Sequence, residues 1–98
     1  MNRQNNKTER KGISRRSKFE IWSELLEICT KTPRTQTWLR NNLGLKTSSV
    51  KEALRFLVAR DLIQQVNNFG SIEFITTKKG TEALLQYYNL ITNFFHEK

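Results

Sequence analysis

The sequence predicts a mainly α-helical domain with one small β-hairpin. Three observations carry this. Apolar residues recur at helical spacing in segments from Arg16 to about Arg60, most clearly as i, i+3, i+4, i+7 at 22, 25, 26 and 29. Two β-prone runs then flank the turn cluster Asn67-Asn68-Phe69-Gly70. A further helical pattern follows to the C-terminus.

In the first helix, Trp22, Leu25, Leu26 and Cys29 share one face. Ser17 is the expected N-cap, because Glu20 stands three residues later and completes a capping box. Pro33 ends this segment: it lacks an N–H donor and biases Thr32 away from helix. Thr35 to Asn42 reads as a short second helix that turns Trp38 and Leu39 inward. Gly44 suits the tight turn after it, where φ must be positive. Thr47 or Ser49 caps the third helix, which runs to about Arg60. Ile63–Val66 and Ile72–Thr76 form the hairpin, and Thr76 or Thr77 starts a last helix reaching about Glu97. An isolated hairpin is marginal, so it must pack on the helices. Three helices followed by a two-stranded ribbon make a winged helix-turn-helix, here with a C-terminal helix added. The expected organisation is a flexible basic arm over 1–14, a winged helix-turn-helix DNA-binding domain over 15–80 and a dimerisation helix over 81–98.

The chain has 98 residues, with 17 Lys and Arg against 9 Asp and Glu, a formal net charge of +8. The excess is uneven. Residues 1–18 carry seven bases and one acid, so the first eighteen residues hold +6 of it. A cationic surface of this kind fits a polyanionic partner, because docking releases counterions from a phosphate backbone. One cysteine, Cys29, rules out an internal disulfide framework and Cys-rich metal sites, and its place on the apolar face assigns it to the core. No apolar run follows the N-terminal bases, so no signal peptide is read. Leu84 to Phe95 is broken by Gln86, Asn89, Thr92 and Asn93, which excludes a membrane span. The expected location is cytoplasmic.

The third helix decides the function. Val50, Ala53, Leu54, Leu57 and Val58 form its core stripe. Opposite lie Ser48, Glu52, Arg55 and Ala59, flanked by Lys51 and Phe56. Small residues let a backbone enter the major groove, hydroxyls reach phosphates, and long side chains reach base edges. Arg55 can bond bidentately to guanine. Glu52 can accept from a cytosine amine, or pair with Arg55 at i, i+3 and read nothing. Phe56 is expected against the first helix or the wing. Arg15 and Arg16 beside the arm, Arg34, Arg40, Lys46, Thr47, Ser48, Ser49 and Lys51 complete the expected DNA contacts, with Asn67 and Asn68 at the wing. The wing tip, Asn67 to Ser71, holds no Lys or Arg.

The runs ALRFLVARDLI and FITTKKGTEAL, around a hairpin, resemble the recognition helix, wing and last-helix start of archaeal winged helix-turn-helix proteins. RRSKFEIWSELLEI resembles their first helix. The likeness covers about Arg15 to Phe95, and Ile75-Thr76-Thr77-Lys78-Lys79-Gly80 is its most specific piece. The resemblance implies a DNA-binding transcriptional regulator, and in some members the last helix pairs with a second copy as an antiparallel coiled coil. Here that helix carries two adjacent apolar seams, Leu84-Tyr88-Ile91-Phe95 and Ala83-Tyr87-Leu90-Phe94, an arc of roughly 160° against the ~100° a surface helix buries. One seam covers the core. The other needs a partner, and a homodimer supplies it, with Ala83, Tyr87, Leu90, Ile91 and Phe94 as the expected interface.

No Gly-rich phosphate loop is present, and the lone histidine, His96, fits a helix C-terminus. With no cluster of His, Cys or acids, an enzyme is not expected, nor a metal, cofactor or small-molecule ligand. The rival reading is a protein-interaction winged helix, an adaptor in a larger complex. Glu52 and the uncharged wing favour it. The basic arm and the Lys and Arg residues around the second and third helices favour double-stranded DNA.

Overall fold

The computed structural model describes residues 17–95. The expectations for the 1–14 arm, for Arg15 and Arg16, and for His96 and Glu97 lie outside them. The order is α1 (Lys18–Ile28), β1 (Arg34–Thr35), α2 (Gln36–Leu43), α3 (Thr47–Ala59), β2 (Ile63–Asn68), β3 (Ser71–Thr76) and α4 (Lys78–Leu90). A π-helical turn, Ile91–Phe95, continues α4. The last helix is therefore α-helical to Leu90 and π-helical to Phe95, where the described residues end.

The ribbon is a three-stranded antiparallel sheet in the order β1-β3-β2, not the two-stranded one expected. Arg34 and Thr35 pair with Phe74 and Glu73. Two residues carry no readable period, and their partner lies some forty positions on.

The caps of α1, α2 and α4 follow the side-chain chemistry. Ser17 and Glu20 form the reciprocal capping box on α1, Thr35 caps α2 and Thr77 caps α4. Gly44 ends α2 in the left-handed region, φ 65.

The core gathers Leu25, Leu26 and Cys29 from α1, Leu39 from α2, and Val50, Ala53, Leu54 and Leu57 from α3. Ile63, Phe74 and Leu84 close it from the sheet and α4. Full burial of each large side chain stabilises by about 1.5–3 kcal/mol. Val58, expected in the core stripe, is half-buried at its edge. Burial pushes the Cys29 thiol up to about 11, against the pull of the Arg34 charge. That leaves it protonated at neutral pH.

The Thr76–Gly80 junction ties the layers together. The Thr76 hydroxyl donates to the Leu26 carbonyl at 2.6 Å, and its N–H to the Cys29 carbonyl at 3.0 Å. The Thr77 hydroxyl donates to the Asp61 carbonyl at 2.7 Å and accepts from the Gly80 N–H at 2.9 Å. One five-residue corner thus fixes α1, the end of α3, the sheet and α4.

Candidate nucleic-acid interface

Burial of one stripe of α3 fixes what the other presents. Val50, Ala53, Leu54 and Leu57 are buried, so Ser48, Lys51, Glu52, Arg55 and Ala59 are exposed, with Lys46 and Thr47 at the start of the helix. Ser49 is half-buried beside Trp22 and Phe56. Among the described residues Glu52 and Arg55 form no ion pair with each other or with a neighbour. The acid and the base stand apart on the face.

Neither Thr47 nor Ser49 caps α3. The N-cap is Lys46, which has no acceptor, and no side-chain cap bond forms. The helix starts a residue earlier than a hydroxyl cap would set it. Of the four α-helices among the described residues, α3 alone lacks a side-chain cap. Its first-turn N–H groups carry the positive end of the helix dipole, and Thr47 and Ser48 beside them are exposed.

Lys51 and Arg55 border a hollow of about 370 Å³ between α3 and the sheet, which Gln36 of α2 and Gln65 of β2 also line. Both glutamines escaped the sequence reading. Their only signal was a polar side chain near the start of a helix and inside a strand, and neither position is unusual until the fold sets them beside Arg55. A Gln amide has the donor–acceptor pair that adenine presents.

Other expected contacts are placed elsewhere. Arg34 is half-buried, its guanidinium 3.8 Å above the Trp38 ring, and its Nε is buried without a partner. It lines a separate cleft walled by α1, the Thr30–Thr32 turn, Leu43 and α4, with no α3 residue in it. Arg40 is half-buried in the last turn of α2, where its charge complements the helix C-terminus. Phe56 packs on α1 as expected: its ring stacks on Trp22 at 4.0 Å, with Arg60 over its other face at 3.8 Å.

At the wing tip, Asn67 Oδ1 accepts from the Gly70 N–H at 2.9 Å. Asn68 Nδ2 donates to Glu73 at 3.4 Å, a long contact.

Along α4, Ala83 and Tyr87 do not form the uncovered seam. Both are half-buried and line a hollow of about 160 Å³ with Trp22, Leu26, Phe56 and Leu62, because α4 must close the core over α1 and α3. Tyr88 anchors the other flank. Its hydroxyl donates to Glu27 at 2.7 Å, and this bond, then burial and the Glu27 charge, push the phenol up to about 12. The exposed apolar side chains are Leu85, Leu90, Ile91, Phe94 and Phe95. No helix among the described residues is long and apolar enough to cross a membrane.

The family model that matches the sequence is described as winged helix-turn-helix and spans residues 15–94. Among solved structures, the chain is similar to the transcriptional regulator BldR from Sulfolobus solfataricus, at 21% identity and a TM-score of 0.69, over 76% of this chain and 55% of that one. It is similar to the reduced form of MarR from E. coli at 17% identity and a TM-score of 0.62, over 76% and 55%. Wild-type ZitR from Lactococcus lactis, in complex with DNA, matches at 19% identity and a TM-score of 0.56, over 78% and 61%. The chain thus spans between about half and two thirds of each of these proteins. At such identities the likeness is one of fold. No curated protein matches the sequence.

Proposed function

The chain belongs to the winged helix-turn-helix family, and from that premise we propose that it is a DNA-binding transcriptional regulator acting as a homodimer. One observation carries the reading: α3 has no side-chain cap, and its outer face sets Lys51 and Arg55, without ion-pair partners among the described residues, behind the exposed Thr47 and Ser48. The uncapped N-terminus with Lys46, Thr47 and Ser48 takes a phosphate. Lys51 takes a second, and Arg55 reaches a guanine edge in the major groove with Gln36 and Gln65 near it. ZitR, in complex with DNA, shares the fold, which supports the assignment.

Selection of bound duplexes from a random pool tests this. One enriched motif, repeated as half-sites about one helical turn apart or a multiple of it, is the expected result. A pool that stays random rejects sequence-specific binding.

Homodimerisation rests on the bare C-terminal stretch. An antiparallel pairing of α4 centred between Asn89 and Leu90 sets Leu85 against the second copy's Phe94, and Tyr88 against its Ile91. Leu85→Glu with Phe94→Glu is then expected to give a folded monomer by light scattering, since both side chains are exposed. A mass unchanged by the pair of substitutions places the interface elsewhere.

The adaptor reading is favoured by the exposed Glu52 and by the same apolar stretch. It predicts docking that hardly responds to salt.

A further inference from the structure

The turn between β2 and β3 puts an aromatic ring where turn chemistry favours a small polar side chain. Asn68 pairs with Ser71, so Phe69 and Gly70 are the two loop residues, and their φ values are 53 and 85. Positive φ at both positions marks the I′ class of hairpin turn, whose first position is most readily filled by Asn, Asp or Gly. A bulky residue there is a backbone outlier that its surroundings must hold. The Asn67–Gly70 hydrogen bond and the six-residue ladder of the ribbon do so. The fold gains nothing from the ring: Phe69 is 103% exposed. Asparagines stand at 67 and 68, just short of the position that would suit them.

We propose that Phe69 is a minor-groove wedge, inserted between two base pairs while α3 lies in the adjacent major groove. The inference rests on the DNA-binding reading above. Apolar side chains inserted from the minor groove partly unstack a base step and kink the duplex toward the major groove. Pyrimidine–purine steps yield most easily, so the wedge selects them without hydrogen-bonding to them. The reach fits. Gln65 borders the same hollow as Arg55, and Phe69 lies four residues further along the ribbon, about 13 Å at strand rise. The major groove is about 12 Å wide. The tip chemistry fits as well. A cation at this position would seek phosphate. Asn67 and Asn68 instead precede the ring with amide donors, and the minor groove presents adenine N3 and thymine O2 as acceptors. A protein partner is the weaker alternative, because Phe69 and the 43% exposed Ile72 at a narrow tip fall short of an apolar docking patch.

Phe69→Asn separates the roles. It installs the residue the turn prefers, so the melting temperature should hold or rise. The probe is a duplex of roughly 30 base pairs recovered from the random pool, with 2-aminopurine placed in turn at each pyrimidine–purine step. The full chain is expected to raise the fluorescence of one such step and to bend the duplex by roughly 20° or more. Phe69→Asn should abolish the rise and the bend and weaken binding about tenfold, whereas Phe69→Leu should keep most of both. Equal affinity and equal fluorescence with Phe69→Asn would overturn the wedge, as would tight binding by the unaltered chain with no step unstacked. A loss of dimer mass in Phe69→Asn with DNA binding intact would also overturn it and give the ring to a protein contact. Failure of the unaltered chain to bind any duplex would reject the DNA-binding reading itself.

Discussion

Gly80→Ala should lower the stability of the fold by about 3 kcal/mol or more. The residue sits in the first turn of α4, buried against the segment that leaves α3. An added Cβ would land on the Leu62 carbonyl oxygen, with Thr76 Cγ2 only 2.8 Å away. Neither neighbour can retreat cheaply. The Leu62 carbonyl accepts from the Thr77 N–H at 3.0 Å, and the Leu62 N–H donates to Leu57 at 2.9 Å. Thr76 is held at both its N–H and its hydroxyl by α1. Moving the helix aside would break the corner that joins every layer. Gly44→Ala is the control: nothing stands within 4 Å of its added Cβ, and only its φ of 65 opposes substitution, a cost of about 1–2 kcal/mol. Urea unfolding with an unchanged slope measures both. A Gly80→Ala midpoint equal to that of the unaltered chain would show that the junction has room the geometry denies it.

Lys51→Glu with Arg55→Glu should weaken binding to the selected duplex by about a hundredfold or more while leaving the melting temperature nearly unchanged. Both side chains are exposed and form no ion pair among the described residues, so the fold there loses no salt bridge. The interface loses two cations and gains two anions beside the Glu52 already there. Like charges then face the phosphates across the length of α3, and repulsion adds to the lost attraction. Arg34 is also among the expected DNA contacts. Its guanidinium stacks on Trp38 in a cleft with no α3 residue, so its substitution is expected to bear on stability.

What the sequence made legible was what local chemistry decides. Ser17 with Glu20, Gly44, Thr77 and the core stripe of α3 each follow from a side chain and its near neighbours. The failures share one cause: tertiary choices that leave no local trace. Strand β1 is two residues long and exists because Phe74 and Glu73 arrive beside it. Three hydroxyls in a row at 47–49 promised a cap, yet α3 begins at Thr47 and the lysine before it takes the N-cap position. The period of α4 revealed two apolar seams but not which of them α1 and α3 would cover. Gln36 and Gln65 join the candidate interface only because α2, α3 and the sheet converge there. For the interface, the α3 face could be read from its period. The separation of Arg34 from it, and the exposed ring at the wing, required coordinates.

DNA binding by this chain requires α3 to meet a phosphate backbone. Its most direct test is the salt dependence of duplex affinity, measured for the unaltered chain and for Lys51→Glu with Arg55→Glu. For the unaltered chain, log affinity should fall steeply and linearly with log salt, each phosphate contact adding about 0.9 to the slope. The doubly substituted chain should lose about two units of that slope along with its affinity. A flat salt response, or an identical slope in both proteins, would contradict α3 as the surface that docks.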